Sequence, residues 1–197
     1  MREIVSSKIL ENVYGKRIAK MDVKKVDVKK GIQLRRLELS DAKRMLEWLH
    51  SPAIYEKMQY DPTKQSMESC CKFIKKSWDD IDNIHYAISD ETNEYLGTIS
   101  LKNIDKKNRN AELGIALHPE AMGRGVGREA LKLLIHKAFV EMELHKVYLY
   151  VREDNEKAVK FYHKNGWERE GIFKDHLLIK GEYKDLYWYA ITKESAK

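Results

Sequence analysis

The segment Met122-Gly123-Arg124-Gly125-Val126-Gly127-Arg128 places three glycines and two arginines within seven residues. Beyond it, Leu131, Leu134, Ile135, Ala138, Phe139 and Met142 recur at helical spacing, so the glycines open a helix. Glycine lets a backbone fold close around a ligand. The N–H groups of a helix's first turn have no intrahelical acceptor and lie at the positive end of its dipole. With Arg124 and Arg128 beside them, they make a ready site for a pyrophosphate.

Two common phosphate loops do not fit. No GxxxxGK[ST] segment occurs. Residues 125–130 match GxGxxA, but a dinucleotide fingerprint needs its glycines in a tight turn directly after a strand. Here residues 118–124 intervene. The acidic residue expected about 20 positions further on falls in Val147-Tyr148-Leu149 and is missing. A nicotinamide cofactor is thereby disfavoured.

A second segment runs Asn155-Glu156-Lys157-Ala158-Val159-Lys160-Phe161-Tyr162-His163-Lys164-Asn165-Gly166-Trp167. Asn155 is a helix N-cap, and Gly166 supplies a left-handed C-terminal residue. Tyr162 lies two turns beyond Asn155 on the same face. A helix with a buried tyrosine would look the same, so alone this segment does not decide a function.

These segments need a frame. Residues 32–39 read as a strand, and Ser40 as the cap of a helix carrying Ala42, Met45, Leu46 and Leu49, which Ser51-Pro52 ends. Ser66 caps a second helix with Met67, Cys70, Cys71, Ile74 and Trp78 on one stripe. Residues 85–89 and 95–101 form a hairpin around the turn signal Asp90-Glu91-Thr92-Asn93. Residues 111–117, 146–151, 167–173 and 183–192 read as further strands. The aromatics Tyr183, Tyr187, Trp188 and Tyr189 lie on the last, so about half should be core. The element order predicts an α/β fold, a mixed sheet with helices on both faces. Residues 1–31, with a loosely alternating basic stretch, are read as an N-terminal arm and residues 32–197 as one domain.

Composition sets the limits. The 197 residues suit one domain with an arm. A mean hydropathy of −0.63 and short apolar runs exclude a bilayer-spanning helix protein. The net charge of +6 favours anionic partners. No secretory signal is visible and the two cysteines are adjacent, so a reducing cytoplasm is the expected location. Cys70 and Cys71 read as helix packing, and His136 and His145 form no metal-ligand cluster.

Together, residues 117–127 and 155–167 resemble the GNAT superfamily of acetyl-CoA-dependent N-acetyltransferases. The superfamily carries Q/R-x-x-G-x-G/A after a strand and linker, then N-x-x-A-x-x-F-Y-x-x-x-G-[FW]. The second pattern matches without a gap; the first departs at Met122, where Gln or Arg is usual. The resemblance implies a GNAT fold whose sheet splays at the strand of residues 111–117. It implies acetyl-CoA as co-substrate, its pyrophosphate on the N–H groups of Gly123, Arg124, Gly125, Val126, Gly127 and Arg128. It further implies main-chain contacts from Ile115 and Leu117 to the pantetheine, an oxyanion donor at the Ile115 N–H, and Asn155 among the cofactor-binding residues. Glu112 occupies the place of the base that takes the ammonium proton, and Tyr162 that of the proton donor to the leaving thiolate. His118 is a second base candidate, read in preference as a strand terminator.

The acceptor is less legible. The residues Trp48-Leu49-His50-Ser51-Pro52 and Phe73-Ile74-Lys75-Lys76-Ser77 lie where the superfamily builds its acceptor site. Their pattern is similar to enzymes acting on nucleotide-linked aminosugars, on ribosomal-protein N-termini and on spermidine. The basic charge argues against a polycation such as spermidine and fits an aminosugar whose diphosphate lysines and arginines would clamp. The aminosugar is therefore the expected acceptor, with a protein N-terminus or a polyamine as the alternatives. The expected partner is a small-molecule amine, with no nucleic acid, membrane or metal, and a homodimer is admitted. A coenzyme A-binding sensor is the non-enzyme alternative, which turnover would exclude. A nucleic-acid module lacks any reading motif.

Overall fold

The computed structural model describes residues 31–56, 58 and 61–196. The arm read at residues 1–31 lies outside them, apart from Gly31. Strands β1 (Gln33–Arg36), β2 (Ile84–Ser89), β3 (Tyr95–Asp105), β4 (Asn110–Leu117), β5 (Lys146–Arg152), β6 (Glu168–Ile179) and β7 (Glu182–Thr192) form one sheet. Its order is β1-β2-β3-β4-β5-β7-β6. Neighbours are antiparallel except β4 and β5, which run parallel.

Helices cover both faces, as the element order predicts. On one face α1 (Ala42–Leu49), α2 (Pro52–Tyr55) and α3 (Met67–Ser77) bury Met45, Trp48, Leu49, Ile54, Cys70 and Ile74 against Ala87 and Tyr95. On the other, α4 (Val126–His136) and α5 (Glu156–Lys164) pack Leu131, Leu134 and Tyr162 against Ile99, Leu113, Val147, Leu149 and Tyr189. Full burial of a leucine or isoleucine side chain is worth about 1.5–3 kcal/mol. These two layers therefore fix which face of each strand meets which helix.

Local detail departs from the sequence reading in several places: the strand read at residues 32–39 ends at Arg36, and the one read at 95–101 runs on to Asp105. Ser40 does not cap α1: a short 3-10 turn, Leu39–Asp41, leads into it, and Asp41 accepts the Glu38 N–H at 2.9 Å. Arg35 grips the buried Asp41 carboxylate with two nitrogens at 2.8 and 2.7 Å. Charge-assisted bonds of this kind outcompete a serine hydroxyl. Ser51-Pro52 opens α2 rather than merely closing α1, because proline is pre-set for a first helical position. And β6 runs six residues beyond Phe173, to a tight turn at Lys180 and Gly181, where φ is 51° and 85°. Most of those residues face solvent, so no alternation marks the strand. The remaining caps stand as read: Ser66 accepts the Ser69 N–H at 3.2 Å, Asn155 the Ala158 N–H at 3.3 Å, and Gly166 has φ 81°. Cys70 is buried, which pushes its thiol pKa up and keeps it inert. No helix among the described residues is long and apolar enough to cross a membrane.

Candidate active site

Between β4 and α4 the chain makes a 3-10 turn, Pro119–Ala121, and then the glycine loop. Gly123 (φ 71°) and Gly125 (φ 81°) hold left-handed conformations, and a Cβ on either would meet nothing within 4 Å. The space above them is open to a ligand. Gly127 differs: a Cβ there would sit 3.1 Å from Leu117 Cδ1, so it lets α4 close onto β4. The Met122 N–H reaches the Pro119 carbonyl at 3.1 Å, and the Arg128 N–H the Gly125 carbonyl at 3.1 Å. The N–H groups of residues 123–127 have no backbone acceptor among the described residues. Arg128 Nε is buried without a hydrogen-bond partner among them. Free backbone donors, a helix N-terminus and an orphaned guanidinium nitrogen suit a diphosphate. The Arg128 N–H, placed in the same cradle by the sequence, is instead used within the helix. Arg124 is exposed, its Nη1 donating to the Glu120 carbonyl at 3.2 Å.

The sheet opens beside this loop. β4 pairs with β5 only from Asn110 to Glu112, opposite Lys146 to Tyr148. The His118 N–H donates across to the Leu96 carbonyl of β3 at 2.8 Å. Main-chain direction alternates along a strand, so the N–H and C=O groups of Leu113, Ile115 and Leu117 face away from β3, into the gap. Ile115 and Leu117 thus have the free edge required for pairing with an extended ligand. Gly97 keeps β3 close here, since a Cβ on it would lie 2.4 Å from the Ala116 carbonyl oxygen.

Glu112 and Tyr162 lie on opposite faces of the sheet. Glu112 shares its face with His85, Ser100 and Lys102 through cross-strand pairing. Its Oε1 accepts from Lys102 Nζ at 2.5 Å and its Oε2 from Asn103 Nδ2 at 2.9 Å. The same face continues onto β5 and β7 as a ring cluster: Tyr148 stacks on Trp188 at 4.5 Å, and Tyr150 meets Trp188 edge-on at 4.7 Å. Phe173 closes the cluster 5.9 Å from Trp188. Burial, and then nearby negative charge that includes Glu112, pushes both tyrosine pKa values up. Across the face Phe73 of α3 packs edge-on against His85 at 4.8 Å, and burial lowers the His85 pKa. Among the final aromatics, Tyr189 is core, Trp188 half-buried on this open face and Tyr183 exposed.

Tyr162 is buried between Phe161, Trp167 and Tyr189. Burial raises its pKa far above the usual phenol value, so it holds its proton throughout the neutral range. Burial is the sole cause of that shift, with no hydrogen bond to the hydroxyl among the described residues. Tyr162→Phe is expected to lower kcat about 10–100-fold with KM nearly unchanged. This lies below or at the low end of the usual general-acid range because a thiolate leaves readily. Steady-state kinetics will check it, and an unchanged kcat would reduce Tyr162 to packing.

Other residues have structural duties. Asn155 spends its side-chain oxygen on the α5 cap. His118 is buried, its Nδ1 accepting the Glu120 N–H at 3.4 Å, in keeping with a strand terminator. Trp48 and Leu49 are core, the Trp48 indole donating to the Tyr95 hydroxyl at 2.9 Å. Buried Arg152 ties the end of β5 to the carbonyls of Glu56 and Met58 at 3.0 and 3.2 Å. Lys102, Asn103, Tyr148, Tyr150 and Trp188 escaped the sequence reading as site residues. Only the hairpin register puts Lys102 opposite Glu112, and a shift between Lys102 and Asp105 hides that register.

Comparison with known proteins bears on the family and the fold. Residues 32–168 match the family described as acetyltransferase (GNAT) domain. A spermidine N(1)-acetyltransferase of Vibrio cholerae is 27% identical over 155 residues, covering 79% of this chain and 89% of the relative. A putative ribosomal N-acetyltransferase of Bacillus subtilis is 29% identical over 172 residues, covering 84% and 93%. The crystal structure of a Vibrio cholerae spermidine N-acetyltransferase in complex with CoA and spermine superposes with a TM-score of 0.78 at 26% identity. It covers 85% of this chain and 99% of that one.

Proposed function

The chain belongs to the acetyltransferase (GNAT) domain family and is an acetyl-CoA-dependent N-acetyltransferase, and from that premise we propose that its acceptor is the primary amine of a small aliphatic polyamine. Residues 32–197 would form the catalytic domain. Acetyl-CoA supplies a thioester carbonyl open to amine attack. The loop N–H groups of residues 123–127 and Arg128 would hold the diphosphate. Ile115 and Leu117 would pair with the pantetheine amides, and the Ile115 N–H would stabilise the oxyanion. On the far face Glu112 takes the proton of the acceptor ammonium. On the near face Tyr162 gives its proton to the thiolate.

One observation carries the choice of acceptor. The Glu112 carboxylate already seats a four-carbon primary ammonium, the Lys102 side chain, and Glu112 itself pairs across strands with Tyr148, whose ring stacks on Trp188. A carboxylate flanked by aromatic faces suits an alkyl ammonium. The nucleotide-linked aminosugar preferred on net charge needs free cations for its diphosphate. On this face Lys102 and Lys146 are already paired, with Glu112 and Glu170. Relatives named for spermidine support the same reading.

The test is release of free CoA with spermidine, spermine, a nucleotide-linked aminosugar and a peptide with a free N-terminus. Spermidine or spermine should lead in kcat/KM by at least about tenfold, about 1.4 kcal/mol at the transition state. A lead by the aminosugar would restore the charge-based reading, and a lead by the peptide would select N-terminal acetylation.

A further inference from the structure

We propose that Lys102 is itself an acetyl acceptor, so that the enzyme modifies its own active-site lysine when no free amine is present. The inference rests on the reading of Glu112 as base and goes beyond it in naming a modification site.

Three observations place the lysine there. Its Nζ lies 2.5 Å from Glu112 Oε1, while Asn103 steadies the other carboxylate oxygen at 2.9 Å. Its stem runs over Gly114: a Cβ on that glycine would lie 3.2 Å from Lys102 Cε and 3.8 Å from Nζ. The ammonium therefore sits one residue from Ile115, whose N–H faces the gap where β4 leaves β5. And the side chain is 37% exposed, so it can swing toward that gap without unpacking the core. A Cβ at residue 114 would require the stem to give by a few tenths of an ångström.

The chemistry is that of the free acceptor. Glu112 removes one proton from the Lys102 ammonium and passes it to solvent. The freed Nζ lone pair attacks the thioester carbonyl carbon, an N–C bond forms and the C–S bond breaks with its electrons on sulfur. The second proton leaves nitrogen for solvent, again by way of Glu112, and the sulfur gains one from Tyr162, which solvent then reprotonates, so that one proton is released overall. The products are Nε-acetyl-Lys102 and free CoA, with no further reactant. A tethered nucleophile needs no binding step, which raises its effective concentration. Free polyamine, drawn to the same carboxylate, should slow the modification.

The experiment incubates the purified full-length chain with acetyl-CoA and no acceptor, followed by intact mass and peptide mapping. Expected is a single gain of about 42 Da, one acetyl group, mapped to Lys102. The rate should be independent of protein concentration, and at least about tenfold slower in Glu112→Gln. Lys102→Arg should gain nothing, and mapping of the unaltered chain decides the matter should that variant fail to fold. No gain, equal gain across many lysines, a rate that rises with protein concentration, or an equal rate in Glu112→Gln would each overturn the proposal. Lys102 left untouched in the acceptor-free incubation, by a preparation that does turn over spermidine, would overturn it and leave the polyamine reading intact. Acetyl-Lys102 without turnover of any polyamine would support it and remove the polyamine reading.

Discussion

Replacing Gly125 by valine is expected to abolish the protection that acetyl-CoA gives against thermal unfolding. A ligand at 100 times its dissociation constant adds about 2.7 kcal/mol. For a chain of this size that is roughly 5–11 °C in melting temperature. Protection by NAD or ATP should be smaller, because neither supplies a pantetheine for the open β4 edge. Gly125 has φ 81°, and the space its Cβ would enter is free of protein atoms. A valine there would occupy the ligand's space and bend the loop whose N–H groups face it. The strain of a left-handed non-glycine residue, about 1–2 kcal/mol, lowers the melting temperature with and without ligand and cancels in the difference. Gly127→Ala makes the contrast. Its Cβ would press on Leu117 at 3.1 Å, so it should destabilise both forms while keeping the protection. Equal protection of Gly125→Val and the unaltered chain would remove the phosphate-loop assignment.

Glu112→Gln should lower kcat/KM at pH 7 by about 10²–10⁴-fold. An alkyl ammonium titrates near 10, so at neutral pH nearly every acceptor arrives protonated and needs a base. The deficit should shrink as pH rises toward that value, because the amine then sheds its proton unaided. A sugar amine, acidified by neighbouring oxygens, would show a smaller deficit, so its size also reports on the acceptor. Glutamine can still accept from Asn103, and Lys102 is exposed enough to find water, so folding should survive. The measurement is kcat/KM against pH for both proteins with the best acceptor. A constant deficit would mean that Glu112 positions the substrate, and proton abstraction would pass to another group on that face. His85 would then come before His118: burial lowers the His85 pKa, while the His118 ring is spent on the turn after β4.

What the sequence by itself determined is local. The glycine loop, the caps at Ser66 and Asn155, the left-handed Gly166 and the turn after Ser89 depend on residues within four positions of one another. Their identity already specifies the backbone they adopt, and two such segments sufficed to identify the family. Even locally, Asp41 displaced Ser40 at the start of α1, because Arg35 on another element reinforces the aspartate. What only the tertiary structure decided is how distant strands register and separate. Lys102 meets Glu112, and Tyr150 meets Trp188, because burial under α4 and α5 forces the alternate residues of each strand inward. The gap after Glu112 opens where β5 leaves β4 and remains paired along its length with β7. Register and separation are sums over many weak contacts far apart in the chain. The chemistry of individual residues was therefore legible, whereas the company they keep at the acceptor face was not.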